Sequence, residues 1–211
     1  MKNGKHYGAR GFFICMAVIV IALLFLLLTP TGASAYEGEP VRTERQEALH
    51  EAADVLRAAG YAEDSDVMLA LKAAWWQEDD AMNILAKMCK KEAPGTPDAQ
   101  YCPVWHQCAV MQNVINRTRM DDMPDTVRGV VSQRLPSGYY AYNPAYCQGF
   151  EGIERHYYEL AKLVLDGDAM DLYDIPEDLM YHDNAPHGPI WKTSYVNTGY
   201  FSSTTYFCTR G

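Results

Sequence analysis

The chain has 211 residues, with 27 acidic side chains against 18 Lys and Arg, and its net charge is −9. Residues 1–35 hold only basic charges, so the remainder carries 15 basic and 27 acidic side chains, a net charge of −12. Charge of this sign does not attract nucleic acid or anionic wall polymers, which excludes nucleic acid as an expected partner. Binding to a polymer would then depend on shape and on aromatic contacts.

The N-terminal segment has the composition of an export signal. Basic residues precede an apolar run over residues 12–28, and the small residues Ala33-Ser34-Ala35 follow a Pro and a Gly. This pattern predicts a signal peptide over residues 1–35, with an uncleaved N-terminal membrane anchor as the alternative. In both cases residues 36–211 lie outside the cytoplasmic membrane, secreted or in the cell envelope, with a possible membrane tether.

Five cysteines follow the signal segment. An exported chain can form disulfides, and two are possible among four of these residues, with Cys89 left over. The sequence does not choose among the three pairings, and all five thiols stay reduced in the alternative case. The four candidates are Cys102, Cys108, Cys147 and Cys208.

Residues 36–79 are predicted to form a helical N-terminal extension. Thr43 and Gln46 have capping-box spacing and begin a helix that Gly60 ends. Ser65 begins a second helix through about Gln77, and Asp79 or Asp80 begins a third.

The third helix carries the candidate catalytic acid. Leu85, Met88 and Cys89 precede Glu92 by seven, four and three residues, so all four share one helix face. Pro94 then stops the helix. An acid at the end of a core-facing stripe is expected to be partly desolvated, which favours its protonated form. A general acid for sugar cleavage needs this property.

The rest of the chain predicts a helix-dominated α+β domain over residues 80–211. A helix after Pro103 has a buried stripe, and polar residues including Asn113 and Asn116 decorate its far end. A short helix over Val127–Gln133 and a long one over Ile153–Leu165 follow. The last third is predicted to be irregular, with a small hairpin.

Other chemistry-bearing residues give weaker signals. Ordinary glycosidases need two carboxylates, but spacing fixes no partner for Glu92. The candidates are Asp121, Asp122, Asp125, Glu151 and Asp183.

A cysteine peptidase is the alternative enzyme class. Cys147 would be its nucleophile, with His156, His182 or His187 as the base. The histidines lack the spacing of known metal motifs, so neither a metal nor a cofactor is expected. A non-catalytic wall-binding module is the third alternative.

The segment Tyr139–Tyr146 is rich in tyrosine and is predicted to lack long helices. Tyrosine rings stack on sugar faces while their hydroxyls bond sugar oxygens, so this segment is a candidate for lining a glycan groove.

Four ordered motifs resemble the spore cortex-lytic (SleB-type) cell wall hydrolase family. A helix reads Leu85-Ala86, then five residues, then Glu92-Ala93, and a second helix ends in Asn116-Arg117. The segment from Pro124 to Gln133 follows, with Thr126-Val127 and Val130-Val131 inside it. A late aromatic-Asn segment runs from Tyr181 to Asn184. The likeness spans residues 80–208.

This resemblance implies a lysozyme-like fold and cleavage of the MurNAc–GlcNAc backbone of peptidoglycan in sporulation or germination. It implies a lytic transglycosylase in which the single acid Glu92 protonates the glycosidic oxygen and then accepts a proton as a 1,6-anhydro ring closes. Substrate-binding residues are expected at Tyr140, Tyr142, Asn143 and Asn184.

Overall fold

The computed structural model describes residues 41–95, 102–197 and 202–210. The expected signal segment, residues 36–40 and residues 96–101 of the loop before Pro103 lie outside the described residues. Six α-helices and a three-stranded antiparallel sheet make up this part of the chain, so the predicted helix-dominated α+β class is confirmed. No helix in these ranges is both long and apolar enough to cross a bilayer.

The first helix, α1 (Glu44–Ala58), begins with the predicted capping box. The Thr43 hydroxyl accepts a hydrogen bond from the Gln46 backbone N–H at 3.1 Å, and the Thr43 N–H donates to the Gln46 side chain at 2.6 Å. The inward face of α1 buries Ala53 and Leu56 against Met68 of the next helix. The cap stabilises the start of α1, and this small apolar cluster holds α1 against the first turns of α2.

Helix α2 (Asp66–Glu92) is continuous for 27 residues, and the predicted break near Gln77–Asp80 is wrong. The acids interpreted as helix caps instead contact other elements. The Asp79 carboxylate accepts a hydrogen bond from Gln46 at 2.6 Å, and Asp80 pairs with the Arg128 guanidinium. The helix ends at Glu92, as predicted.

Helix α3 (Val104–Thr118) lies at the centre of the core, where every residue from His106 to Asn116 is buried. It packs against α2, α4 (Val127–Val131), α5 (Arg155–Asp166), α6 (Asp168–Tyr173) and β1 (Leu179–Asp183). Asn113 and Asn116 lie at the far end of the helix, as predicted, but both are buried, although the sequence predicted a single buried stripe that did not include them. Burial of a helix on all sides requires internal partners for its polar side chains, and these positions have such roles in the site below.

The helices between α3 and the sheet begin near the predicted turns, and α4 is two residues shorter than predicted. Thr126 caps α4 by accepting a hydrogen bond from the Gly129 N–H at 3.1 Å. A short 3-10 helix spans Pro144–Cys147. Helix α5 begins at Arg155, two residues later than predicted, and ends at Gly167, whose φ of 92° is the left-handed conformation that glycine adopts without strain.

The C-terminal residues form a sheet rather than the predicted irregular structure. Strands β2 (Ile190–Asn197) and β3 (Ser202–Thr209) form a hairpin, and β1 pairs with the other edge of β3, so the order is β1-β3-β2. Phe207 and Cys208 of β3 are fully buried against the helices. A small hairpin was predicted, but the apolar runs behind that prediction, Leu179–Tyr181 and Tyr206–Cys208, lie in β1 and β3, and β2 was not predicted.

All five cysteines of the described residues are free and buried. Cys102, Cys108, Cys147 and Cys208 therefore do not form the two disulfides that export permits, and the reduced alternative holds. Cys89 also lies in the core, where its thiol donates to the Gln107 carbonyl at 3.9 Å.

Replacing Gly95 with Ala should destabilise the fold. A Cβ at this position would lie 2.6 Å from the Gln107 side-chain nitrogen and 2.9 Å from the Cys102 carbonyl oxygen. Gln107 is fully buried and donates to that carbonyl, so it cannot move aside without loss. We expect a loss of about 1–3 kcal/mol in the free energy of unfolding, measured by urea denaturation. The exposed-helix variant Ala73→Ser serves as control and should change it by less than about 0.5 kcal/mol; equal losses would contradict the steric account.

Candidate active site

A groove of about 700 Å³ lies between the helices and the sheet. The end of α2 contributes Glu92, and α3 contributes His106 and Arg117. The loop between α4 and α5 adds Tyr142, and the end of β1 adds residues 181–184. The groove therefore collects side chains from both the helical part of the chain and the sheet.

Glu92 is exposed in this groove, so the predicted partial desolvation of its carboxyl is wrong. The apolar stripe behind it is buried as predicted, with Leu85, Met88 and Cys89 fully inaccessible. One phenol is directed at the carboxylate: the Tyr146 hydroxyl donates a hydrogen bond to Glu92 Oε1 at 2.5 Å. Burial and this hydrogen bond raise the pKa of Tyr146, so the phenol keeps the proton that it donates.

Two lysines of α2 hold the loop between α4 and α5 against the helix. Lys87 Nζ donates to the carbonyls of Ala145 and Gly149 at 3.0 and 2.8 Å. Lys90 Nζ donates to the Gly152 carbonyl at 2.6 Å and pairs with Glu154. Because both lysines lie in the last two turns of α2, they fix the loop beside Glu92 and bring Tyr146 within reach.

Tyr142 forms one wall of the groove. Its hydroxyl donates to the buried Asn113 Oδ1 at 3.0 Å, and burial raises its pKa to about 12. The Arg117 guanidinium lies over the rings of Tyr142 and Tyr181, 5.5 and 5.6 Å from their centroids. Both rings thus make a cation–π contact with the same guanidinium, which restricts their movement.

The end of α3 fastens β1 to the helices. Asn116 donates through its amide to the Leu179 carbonyl at 3.0 Å, and Arg117 donates to the Met180 carbonyl at 2.9 Å. Asn116 in turn accepts from Gln112 at 2.8 Å. These bonds place the residues that follow, Tyr181 to Asn184, in the groove.

Two neutral histidines form part of the groove lining. Burial lowers the pKa of His106 to about 3 and that of His182 to about 4, and the Arg117 charge lowers the second further. Both rings contact Phe207, with centroids 4.8 and 6.0 Å away. The Nδ1 atom of His106 is buried without a hydrogen-bond partner.

The structure brings three predicted site residues together and separates two. Glu92, Tyr142 and Asn184 line one groove. Tyr140 is half exposed and pairs with Arg134 in a β-bridge, and Asn143 caps the 3-10 helix by accepting from the Ala145 N–H at 3.0 Å. Neither of the two belongs to the groove lining formed by the described residues.

Sequence reasoning missed the roles of Tyr146, Arg117 and His106. Tyr146 belongs to the predicted tyrosine segment, but nothing in its spacing distinguishes it from its neighbours. Arg117 belongs to the Asn-Arg motif, which was a usable signal. His106 lies on the predicted helix, and a single histidine there gives no sign of facing a groove.

The environment of Cys147 does not favour a nucleophile. Its contact is with the Arg128 carbonyl at 4.0 Å, and burial raises the pKa of the thiol, which disfavours the reactive thiolate. The three histidines proposed as its base have other partners: His156 contacts Gln107, His182 stacks on Phe207, and His187 pairs with Asp183.

No three His, Cys, Asp or Glu side chains within residues 41–95, 102–197 and 202–210 are arranged to hold a metal ion. No family model, no curated protein and no solved structure matches the chain. A functional assignment therefore depends on the chemistry of the groove itself.

Replacing His106 with Phe should reduce the acid sensitivity of the fold. His106 is neutral when folded but binds a proton with ordinary affinity, near pH 6.5, once unfolded. The neutral ring therefore costs no stability above about pH 6.5. As pH falls from there towards its folded-state pKa of about 3, the free energy of unfolding decreases, because the unfolded chain binds the proton first.

For His106→Phe we expect a shallower fall in unfolding free energy between pH 7 and pH 4, measured by urea denaturation. The phenyl ring is larger than the imidazole, while Nδ1 has no partner to lose, so at pH 7 the cost should be that of modest overpacking, about 1–3 kcal/mol. Parallel curves for variant and wild type would contradict this account.

Proposed function

We propose that the protein cleaves the MurNAc–GlcNAc backbone of peptidoglycan, with Glu92 as the catalytic acid. The observation that carries this proposal is the position of Glu92: its carboxylate follows the buried apolar residues of the last turns of α2 and lies in a groove of about 700 Å³. An open groove lets a long polymer strand lie along it, whereas a closed cavity would admit only a small molecule.

Aromatic and polar side chains in the groove support a sugar ligand. Tyr142 and Tyr181 offer rings for stacking on pyranose faces. Asn184, Gln133 and Arg117 offer hydrogen-bond donors and acceptors for hydroxyl and acetamido groups. The binding is thus expected to depend on shape and stacking, consistent with the acidic composition of the chain.

The proposed chemistry begins at Glu92. Its carboxyl donates a proton to the glycosidic oxygen, the bond from C1 to that oxygen breaks, and the electron pair stays on the departing sugar. A sugar seated in the groove excludes water from the carboxyl, and a carboxyl without water favours its neutral, proton-donating form. Tyr146 holds the carboxylate in one orientation between turnovers.

We further propose that this activity operates outside the cytoplasmic membrane and that the fold is lysozyme-like. The first point is supported by the signal-like segment over residues 1–35. The second is supported by the resemblance to cortex-lytic hydrolases and by the arrangement of a helix-borne acid facing a small antiparallel sheet.

Glu92→Gln should abolish glycan cleavage, with a loss of about 100- to 10,000-fold in rate, because the amide cannot donate the proton. The measurement is digestion of purified peptidoglycan, with the muropeptides analysed by mass spectrometry. Glu51→Gln, an exposed acid on α1, serves as the matched control and should retain full activity. Intact glycan with cut peptides in the wild-type digest would contradict the proposal, as would full activity in Glu92→Gln.

Tyr146→Phe should lower the rate about tenfold, equivalent to about 1.4 kcal/mol, because Glu92 loses the donor that orients it. The fold should be unchanged, since the ring remains. The assay is the same digestion, with the rate of new glycan ends as readout. Tyr140→Phe, outside the groove lining, is the control; equal losses in both variants would show that Tyr146 has no special role.

A further inference from the structure

Asp183 is a second carboxylate in the groove that contains Glu92. It is the last residue of β1, and half of its side chain is exposed to solvent. The bonds from Asn116 and Arg117 to the preceding residues of β1 fix this position relative to the helices. The sequence alone named Asp183 among five candidate partner acids without a reason to choose it.

Two neighbouring donors stabilise the ionised form of Asp183. His187 Nε2 lies 2.8 Å from Oδ2, and the Asn184 backbone N–H donates to Oδ1 at 2.6 Å. These contacts hold the pKa of Asp183 below its usual value, with the His187 hydrogen bond as the first cause. Glu92, by contrast, accepts its bond from a phenol, which stays neutral. The two carboxyl groups thus have different surroundings, as a separate acid and base require.

We infer that Asp183 is the base that takes a proton from the attacking water, so that the enzyme hydrolyses its glycan. This inference rests on the function proposed for Glu92. In the step, Glu92 gives its proton to the glycosidic oxygen as the C1–O bond breaks. A water oxygen forms the new bond to C1, and the proton that this water loses goes to the Asp183 carboxylate. Transfer of one proton from Asp183 to solvent and of one from solvent to Glu92 restores both groups, and the net reaction consumes one water.

The alternative is ring closure by the C6 hydroxyl, which needs no second carboxylate. The resemblance to cortex-lytic enzymes favours that route, and the presence of Asp183 in the groove favours water. The two routes give different products, because hydrolysis adds a water oxygen at the new reducing end and cyclisation leaves an anhydro end.

The test is digestion of purified peptidoglycan in H₂¹⁸O by the wild type, Asp183→Asn, Asp183→Ala and the control Asp178→Asn. Asp178 is an exposed acid in the segment just before β1. We expect the wild type to form reducing ends that carry one ¹⁸O, and Asp178→Asn to match it. Both Asp183 variants should lose at least tenfold in the rate of labelled ends, and thermal unfolding should show that they remain folded. Azide should restore cleavage in Asp183→Ala as a glycosyl azide, because it attacks C1 without needing a base.

Anhydro ends alone in the wild-type digest would overturn the role of Asp183 while leaving the role of Glu92 intact. An unchanged rate of labelled ends in both Asp183 variants would do the same. Absence of any glycan cut by the wild type would instead overturn the proposed function, and this inference with it.

Discussion

The groove exists because the end of α3 holds the sheet against the helices. Asn116 and Arg117 donate to two successive carbonyls of β1, at 3.0 and 2.9 Å, with Asn116 buried and Arg117 partly buried. A buried donor that loses its acceptor costs about 1–3 kcal/mol, so the strand has one favourable position on the helix. The residues after those carbonyls then face Glu92 across the groove lining. The Asn-Arg pair thus positions the strand that carries the groove residues Tyr181 to Asn184.

Local signals in the sequence predicted much of the helical part. The capping box at Thr43, the cap at Thr126 and the helix end at Glu92 each depend on residues within one turn, and each is found in the structure. The unbroken course of α2 was not predictable in the same way, because Asp79 and Asp80 resemble caps until their distant partners are known. The pairing of β1 with β3 was not predictable for the same reason: it joins residues far apart in the chain, and it contains a register shift.

In the candidate site, too, the residues with local sequence signals were predictable and those that depend on distant contacts were not. Glu92 was predictable because its apolar stripe and the stop at Pro94 are local, although its exposure was not. Tyr142 and Asn184 followed from composition and from the resemblance, while Tyr140 and Asn143 carried the same signals and lie elsewhere. Tyr140 and Asn143 make local contacts instead, the bridge to Arg134 and the cap of the 3-10 helix, and residue type alone does not distinguish these roles from a place in the groove. The lysine contacts that place Tyr146 were not predictable either, because they join α2 to backbone carbonyls about 60 residues away, and any residue type supplies such a carbonyl.

The continuity of α2 has a mechanical consequence. At 1.5 Å per residue, its 27 residues form a rod about 40 Å long. One end packs in the small cluster with α1, and the other end carries Glu92. The chain enters α1 beside the middle of this rod, because Gln46 donates to Asp79 and Val41 packs against the main core. A pull on the chain ahead of α1 would therefore act on the main core rather than on the far end of the rod, so the hairpin of α1 and α2 would carry little of the load.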